Sequence, residues 1–314
     1  MPQRRSTLVL PAIAAILAIS AVAAAADPLA SIATAPVQGP WILAPGEYYA
    51  ELSSSTFNTS SMYDNDSKRV FPGGSEQERR VRSFVELGWK KRMSVQLSLP
   101  FVSVTGLVPG LAPMTSTGLE DFGLGLRYAL HQGPTAAALQ LRWEAPAGYN
   151  PALPLPVGDG LQKLSASLQL GGRLGQGSFW ELGGGWRYDY FIIGTRSTDP
   201  TQSFHQRDWA DHATVNAAYG FWLGHLQVAG LYGADLPQAT GLENPDGSDD
   251  KVAKQAAGPR VTWRVDDRLD AFAGSWHTPG GQNALHVDEF YAGVAWRSTK
   301  LDRLRGFLGN DQRR

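Results

Sequence analysis

The chain has 314 residues, including 35 glycines, 10 tryptophans and no cysteine, and a formal charge of −1. The missing cysteines exclude a disulfide scaffold, a thiol nucleophile and a cysteine-held cluster, and the near-neutral balance excludes the basic stripe a nucleic-acid partner needs. One repeating unit runs from Trp41 to Ser298 without a linker, so a single domain is expected rather than two.

The first segment reads as a leader. Arg4 and Arg5 form a positive start, Leu8 to Val22 is apolar around Pro11, and Ala23-Ala24-Ala25-Ala26 offers a small-residue cleavage site before Asp27. The apolar run is short for a span of about 20 residues, so cleavage is expected rather than retention as an anchor. Gln3-Arg4-Arg5-Ser6-Thr7 lacks the rest of a twin-arginine signature, which leaves ordinary secretion. Cleavage removes two arginines and no acid, moving the charge to −3. The expected organisation is a signal peptide over 1–26, a periplasmic N-terminal segment over 27–44, a barrel over 45–298 and a charged periplasmic tail over 299–314.

From there the pattern is alternation with period two, cut by turn residues. Strands are expected near 46–57, 79–90, 93–104, 119–130, 135–145, 161–173, 179–191, 208–221, 225–236, 251–265, 269–277 and 286–298. In the fourth, Phe122, Leu124, Leu126, Tyr128 and Leu130 oppose Asp121, Gly123, Gly125 and Arg127. In the fifth, Leu139, Leu141 and Trp143 oppose Gln140, Arg142 and Glu144, and in the seventh Trp180, Leu182, Trp186, Tyr188 and Tyr190 oppose Glu181, Arg187 and Asp189. A soluble sandwich also alternates. The difference is that the apolar faces are aliphatic in mid-strand and tipped with Trp or Tyr, while the other faces carry charge, amide and glycine. That is a wall with lipid outside and a polar lumen inside. The tenth and eleventh strands fit least well, since Pro259 interrupts one and 269–277 has no clean apolar face.

The connections alternate in length. Trp89-Lys90-Lys91-Arg92, His131-Gln132-Gly133-Pro134, Gly175-Gln176-Gly177, Leu223-Gly224 and Asp266-Asp267-Arg268 are tight, whereas 58–78, 105–118, 146–160, 192–207, 237–250 and 278–285 are long and polar. The fold class expected is all-β: a closed antiparallel transmembrane β-barrel of about 12 strands, with short periplasmic turns and long outer loops, in the outer membrane of a Gram-negative bacterium. Closure is required because lipid satisfies no open sheet edge. Leu124, Leu126, Leu139, Leu141, Leu182, Val294 and Trp296 should then face lipid.

Two stretches carry a resemblance. Phe84-Val85-Glu86-Leu87-Gly88-Trp89-Lys90-Lys91-Arg92-Met93-Ser94-Val95-Gln96-Leu97-Ser98-Leu99-Pro100-Phe101 and Gly118-Leu119-Glu120-Asp121-Phe122-Gly123-Leu124-Gly125-Leu126-Arg127-Tyr128 resemble segments of the transporter-like outer-membrane barrel family associated with the meta-pathway of phenol degradation. The first is similar to that family's hairpin ending in Leu-Pro-aromatic, the second to its glycine–hydrophobe–acid–Asp strand. The resemblance implies a channel for small, often apolar compounds, and brings no catalytic residues with it. The C-terminus departs from the usual barrel pattern. Phe290, Ala292, Val294 and Trp296 form a plausible last strand for the barrel-assembly machinery to read, but Lys300 to Leu308 follow it.

The best functional candidates are charges expected in the lumen: Arg82, Glu86, Arg127, Arg142, Glu144, Glu181, Arg187, Asp189 and Arg297. Mixed signs can set a selective constriction, or can pair across strands and fill the lumen. Gly123, Gly125, Gly183, Gly184 and Gly185 do not form a phosphate loop, because no helix follows them. Asp64-Asn65-Asp66 and Asn244 to Asp250 read as solvated loop charge, and the twelfth position from Asp64 is Ser75 where a calcium loop needs Glu. No cofactor or metal site is expected. The expected function is passive transfer of a small apolar or amphipathic solute, with outer-membrane lipid as the surrounding partner. One alternative is a plugged structural or adhesive barrel. Another is a lipid hydrolase using Ser275-Trp276-His277 or Ser203-Phe204-His205 with Asn283 nearby, since two-apart spacing puts Ser and His on one face. No Gly-x-Ser-x-Gly elbow supports the latter.

Overall fold

The computed structural model describes residues 39–298 apart from 65, 72, 108–111, 149–156, 159–160, 176, 191–208, 241–252 and 283. The expected leader, the charged tail, Ser203, His205, Asn283 and the acidic run 244–250 lie outside the described residues. Among the described residues the elements are β1 (Tyr48–Thr59), β2 (Met62–Tyr63), β3 (Arg69–Val70), β4 (Ser75–Lys90), β5 (Met93–Leu107), β6 (Met114–Leu119), β7 (Asp121–His131) and β8 (Thr135–Pro146). They continue as β9 (Gln162–Leu174), β10 (Ser178–Tyr190), β11 (Trp209–Leu223), β12 (Leu226–Thr240), β13 (Ala253–Arg264), β14 (Leu269–Gln282), β15 (Ala284–Leu285) and β16 (Asp288–Arg297).

Counting β6 and β7 as one interrupted stave, twelve antiparallel staves close into a barrel. β4 pairs with β5, β1 lies between β4 and β16, and each remaining stave pairs with its neighbour in the chain. Leu97, Leu124, Leu139, Leu141, Leu168 and Leu182 are exposed on the outside, with Trp89, Trp186, Tyr219 and Trp263 among the exposed aromatics. Arg80, Glu86, Arg127, Asp235 and Glu289 are buried on the inside. A protein folded in water would reverse these faces; the apolar exterior belongs to a barrel in lipid. Both ends of the barrel chain sit with the tight turns, where Gly175 and Gly224 take φ of 64° and 62° that a side chain resists.

All twelve expected staves are present, and several run further than expected. Residues 105–107, 114–118 and 278–282, expected in loops, continue β5, form most of β6 and extend β14. β2, β3 and β15 form a small sheet inside two of the expected loops. Pro259 does not end β13. Its ladder to β14 runs from Ala257↔His277 to Arg260↔Gly274, so the residue without an N–H sits where that ladder is interrupted. The stave expected at 119–130 is broken at Glu120, whose N–H donates to Pro100 O at 3.1 Å. The break turns two successive acids inward: Glu120 reaches Arg80 (3.3 Å) and Asp121 reaches Lys163 (3.1 Å). The two segments that carry the sequence resemblance therefore meet at one bulge, a device that re-aims side chains.

Before β1, residues 39–47 cross the short-turn mouth. Trp41 Nε1 donates to Gly133 O (3.0 Å), Gln132 Nε2 donates to Pro40 O (3.0 Å), and Arg127 donates to Gly39 O. On the near side Gly88 exchanges backbone bonds with Gly46 and Glu47. A Cβ at Gly88 would collide with Ala44 O, so only glycine lets this strap lie on β4.

Candidate functional site in the lumen

The inward residues form three systems. The first is a belt over β4, β5, β7, β8 and β9. Arg127 Nη1 donates to both Glu86 oxygens (2.9 and 3.0 Å), and Ser94 and Gln96 also donate to Glu86. Gln140 Nε2 donates to Gln96 (3.1 Å), Gln169 Nε2 to Gln140 (2.6 Å), and Arg127 Nη2 to Gln169 (3.2 Å). The glycines of this wall make room for it. A Cβ at Gly123 would meet Arg142 and Ser98, and one at Gly125 would meet Gln96.

The second system lies nearer the long-loop end. Arg142 donates to Glu144 (2.7 Å) and Ser98 (2.8 Å). Arg187 donates to both Asp189 oxygens (2.7 and 2.9 Å) and to Asp235, and His212 Nδ1 lies 2.8 Å from Asp235 Oδ1. Buried ions persist when geometry and extra hydrogen bonds offset their desolvation, and both conditions hold here.

The third system is aromatic, over β1, β4, β13, β14 and β16. Phe57, Ala256, Trp276 and Val287 form a buried cluster against Leu231, Leu285 and Tyr291. Val287 comes from the β15–β16 connection, so this connection packs against inward side chains of β1, β13 and β14. Nearer the strap, Tyr49, Phe84, Phe272 and Ala295 form a second cluster against Leu43 and Tyr291. Between the clusters Arg260 lies over the Phe272 ring (3.9 Å) and reaches Glu51 (3.5 Å), which also accepts from Tyr49 (2.8 Å).

Among the described residues this packing leaves a small and a larger cavity. A small one of about 30 Å³, room for a water, is lined by Arg80, Arg82, Glu289, Trp276 and Tyr291. A larger one of about 270 Å³ lies at the short-turn end between the strap and residues of β1, β9, β11–β14 and β16. Arg260 lines both.

The nine residues singled out from sequence distribute over this lumen. Glu86 and Arg127 join in the belt, Arg142 with Glu144 and Arg187 with Asp189 form ion pairs, and Arg82 lines the small cavity. Glu181 lies where a Cβ on Gly39 would meet it, and Arg297 lines the larger cavity and bridges to Asp270. They do not form one ring. Sequence reasoning missed Glu51, Glu120, Asp235 and Arg260, although three of these share the inward parity of their strands. Glu120 breaks parity, and only the bulge reveals it.

Ser275 and His277 are on the outer face. His277 Nδ1 is 2.6 Å from Asp288 Oδ1, but no hydrogen bond joins Ser275 to His277 among the described residues. The Asp64 loop is an Asx-type turn, its Oδ1 accepting from Asp66 N (2.9 Å) and Lys68 N (2.8 Å).

No family model and no curated protein matches the chain. Among solved structures, the COG4313 outer membrane channel from Pseudomonas putida F1 is similar with a TM-score of 0.65 at 14% identity, over 84% of this chain and 99% of that one. The beta domain of the Bordetella autotransporter Brka is similar with a TM-score of 0.50 at 14% identity, over 80% of this chain and 99% of that one. At such identities the likeness is one of fold, that of outer-membrane β-barrels.

Proposed function

We propose that the protein is a passive outer-membrane channel of a Gram-negative bacterium for small apolar or amphipathic solutes, exported with a leader cleaved before Asp27. The observation that carries this reading is the 270 Å³ cavity at the short-turn end of the lumen, whose wall shares Arg260 with the small cavity beyond it. The similarity to a channel structure and the resemblance of two segments to the phenol meta-pathway family support the same reading. The barrel-assembly machinery is its folding partner and lipid its solvent. The reading involves no cofactor and no catalytic step.

A second reading has its own observation. Val287 and Leu285 pack against inward side chains at the long-loop end and the strap crosses the other, as a plugged structural barrel would require. One sample separates the readings. Refolded protein in a planar bilayer should show discrete conductance steps, and the same sample should hydrolyse no lipid ester, with Ser275→Ala indistinguishable from wild type. A silent bilayer would favour the plugged barrel. Hydrolysis abolished by Ser275→Ala would replace both with an enzyme.

A further inference from the structure

The larger cavity has walls of two kinds. Trp41, Leu43 and Trp222 offer apolar surface, and Arg173, Arg260 and Arg297 offer guanidinium groups. Two carboxylates share the lining, and both are engaged. Glu47 Oε2 accepts from Ala44 N (2.8 Å), while Asp270 accepts from Arg264 (3.3 Å) and from Arg297. Three guanidiniums against two carboxylates face the cavity, with Glu51 reaching Arg260 (3.5 Å) from behind the lining. The Nε groups of Arg260 and Arg297 are moreover buried with no acceptor among the described residues, Arg260 being only 8% exposed. A buried donor without a partner is unfavourable, and an incoming acceptor relieves it.

We propose that this cavity binds a small organic anion with an apolar body, an aromatic or short aliphatic carboxylate. The inference deepens the channel reading by naming a solute class for the same lumen. Charge-assisted hydrogen bonds from guanidinium to carboxylate are the strongest available to these walls. A cation gains nothing from these donors, a neutral solute offers them only an uncharged acceptor, and an inorganic anion leaves the tryptophan surface unused. Size sets the rest. Pockets for drug-sized ligands start near roughly 300 Å³, so 270 Å³ suits one ring or a chain of about six carbons. Arg173, lying over the Trp41 ring at 5.8 Å, ties the charged wall to the strap. The strap is thus part of the site.

The test is equilibrium dialysis of the refolded full chain in micelles against benzoate, benzyl alcohol and inorganic phosphate. Benzoate should bind about tenfold or more tightly than either other probe, the value of one charge-assisted hydrogen bond. Arg260→Gln should weaken benzoate several-fold without moving benzyl alcohol, Arg173 and Arg297 keeping part of the preference, and Arg260→Lys should restore part of the loss. Trp41→Ala, on the strap rather than the barrel wall, should weaken both organic probes. Benzoate binding no tighter than benzyl alcohol, or no tighter than phosphate, would overturn the site. If Arg260→Gln does not refold, unchanged benzoate binding in Trp41→Ala overturns it. The two readings fail separately. Benzoate bound by a barrel that never conducts removes the channel and keeps the site, whereas conductance without benzoate binding removes the site and keeps the channel.

Discussion

The two sides of the lumen solve one problem differently. On the β4–β9 side, glycines at 123 and 125 remove Cβ atoms so that Arg142 and Gln96 can lie flat along the wall, hydrogen-bonded to one another's neighbours. On the β13–β16 side, the same device serves aromatic rings: a Cβ at Gly274 would meet the Tyr291 hydroxyl and one at Gly293 the Phe272 ring. Flat polar chains stiffen a wall and occupy little of the bore. Standing rings and the inserted Val287 reach further into it. Stability and occlusion are therefore assigned to opposite sides, and mutations on the two sides should fail in different ways.

The largest effect should come from the flat side. Arg127→Ala leaves Glu86 fully buried with its cation gone. Removing one partner of such a pair costs about 3–5 kcal/mol, to be read as a shift in urea unfolding from lipid vesicles. A loss below about 1 kcal/mol would mean that water or Gln169 replaces the arginine, and the belt would not be the stiffening element.

Trp276→Ala should be milder for the fold and larger for passage. Deleting a buried Trp side chain costs about 3 kcal/mol or more in a dry core, but here water can enter the space from the lumen, so a smaller loss is expected. Single-channel conductance should rise, because Trp276 supports Val287 and lines the small cavity. Unchanged conductance in a folded variant would break the contrast between the sides.

A paired glycine experiment sharpens it further. At Gly125 a Cβ would sit 2.7 Å from Gln96 Oε1 and 3.1 Å from Gln96 Cβ, whereas at Gly230 nothing lies within 4 Å. Gly125→Val should cost about 1–3 kcal/mol by overpacking, and Gly230→Val should be close to neutral. Equal losses at both positions would show that strand propensity, not room for the belt, explains the glycines.

These contrasts also mark how far the sequence could be read. Alternation located every stave, because a lumen and a lipid face impose opposite chemistry on odd and even residues, as at Leu141 and Arg142. It also put Arg187 and Asp189 together on one inward face. It failed where the chain leaves period two. Glu120 turns inward only because the strand breaks opposite Pro100. Arg260 stood beside Pro259 in a strand whose pattern was already disturbed, so its place on the wall of both cavities was not legible. The strap's docking on Gly88 depends on contacts between residues more than forty apart in sequence, and no local pattern encodes that.

The smallest effect concerns the small sheet at the long-loop end, which is held by His286. Its N–H donates to Ser61 O (3.0 Å), its O accepts from Thr59 Oγ1 (2.5 Å), and its ring packs on Tyr63 and His277. Burial, then the nearby Arg69 guanidinium and His277, hold its pKa below the ordinary value of 6.5, with Asp288 pulling the other way. A depressed histidine contributes stability above its unfolded pKa. As pH falls below about 6.5 the opened form takes the proton first, and that contribution is lost. Hydrogen-exchange protection at Met62, Tyr63 and Leu285 should therefore drop between pH 7 and 5, by less than about tenfold per pH unit since one proton is involved. His286→Gln should flatten the dependence while His277→Gln should leave most of it. A drop that survives His286→Gln would show that His286 is not the group responsible.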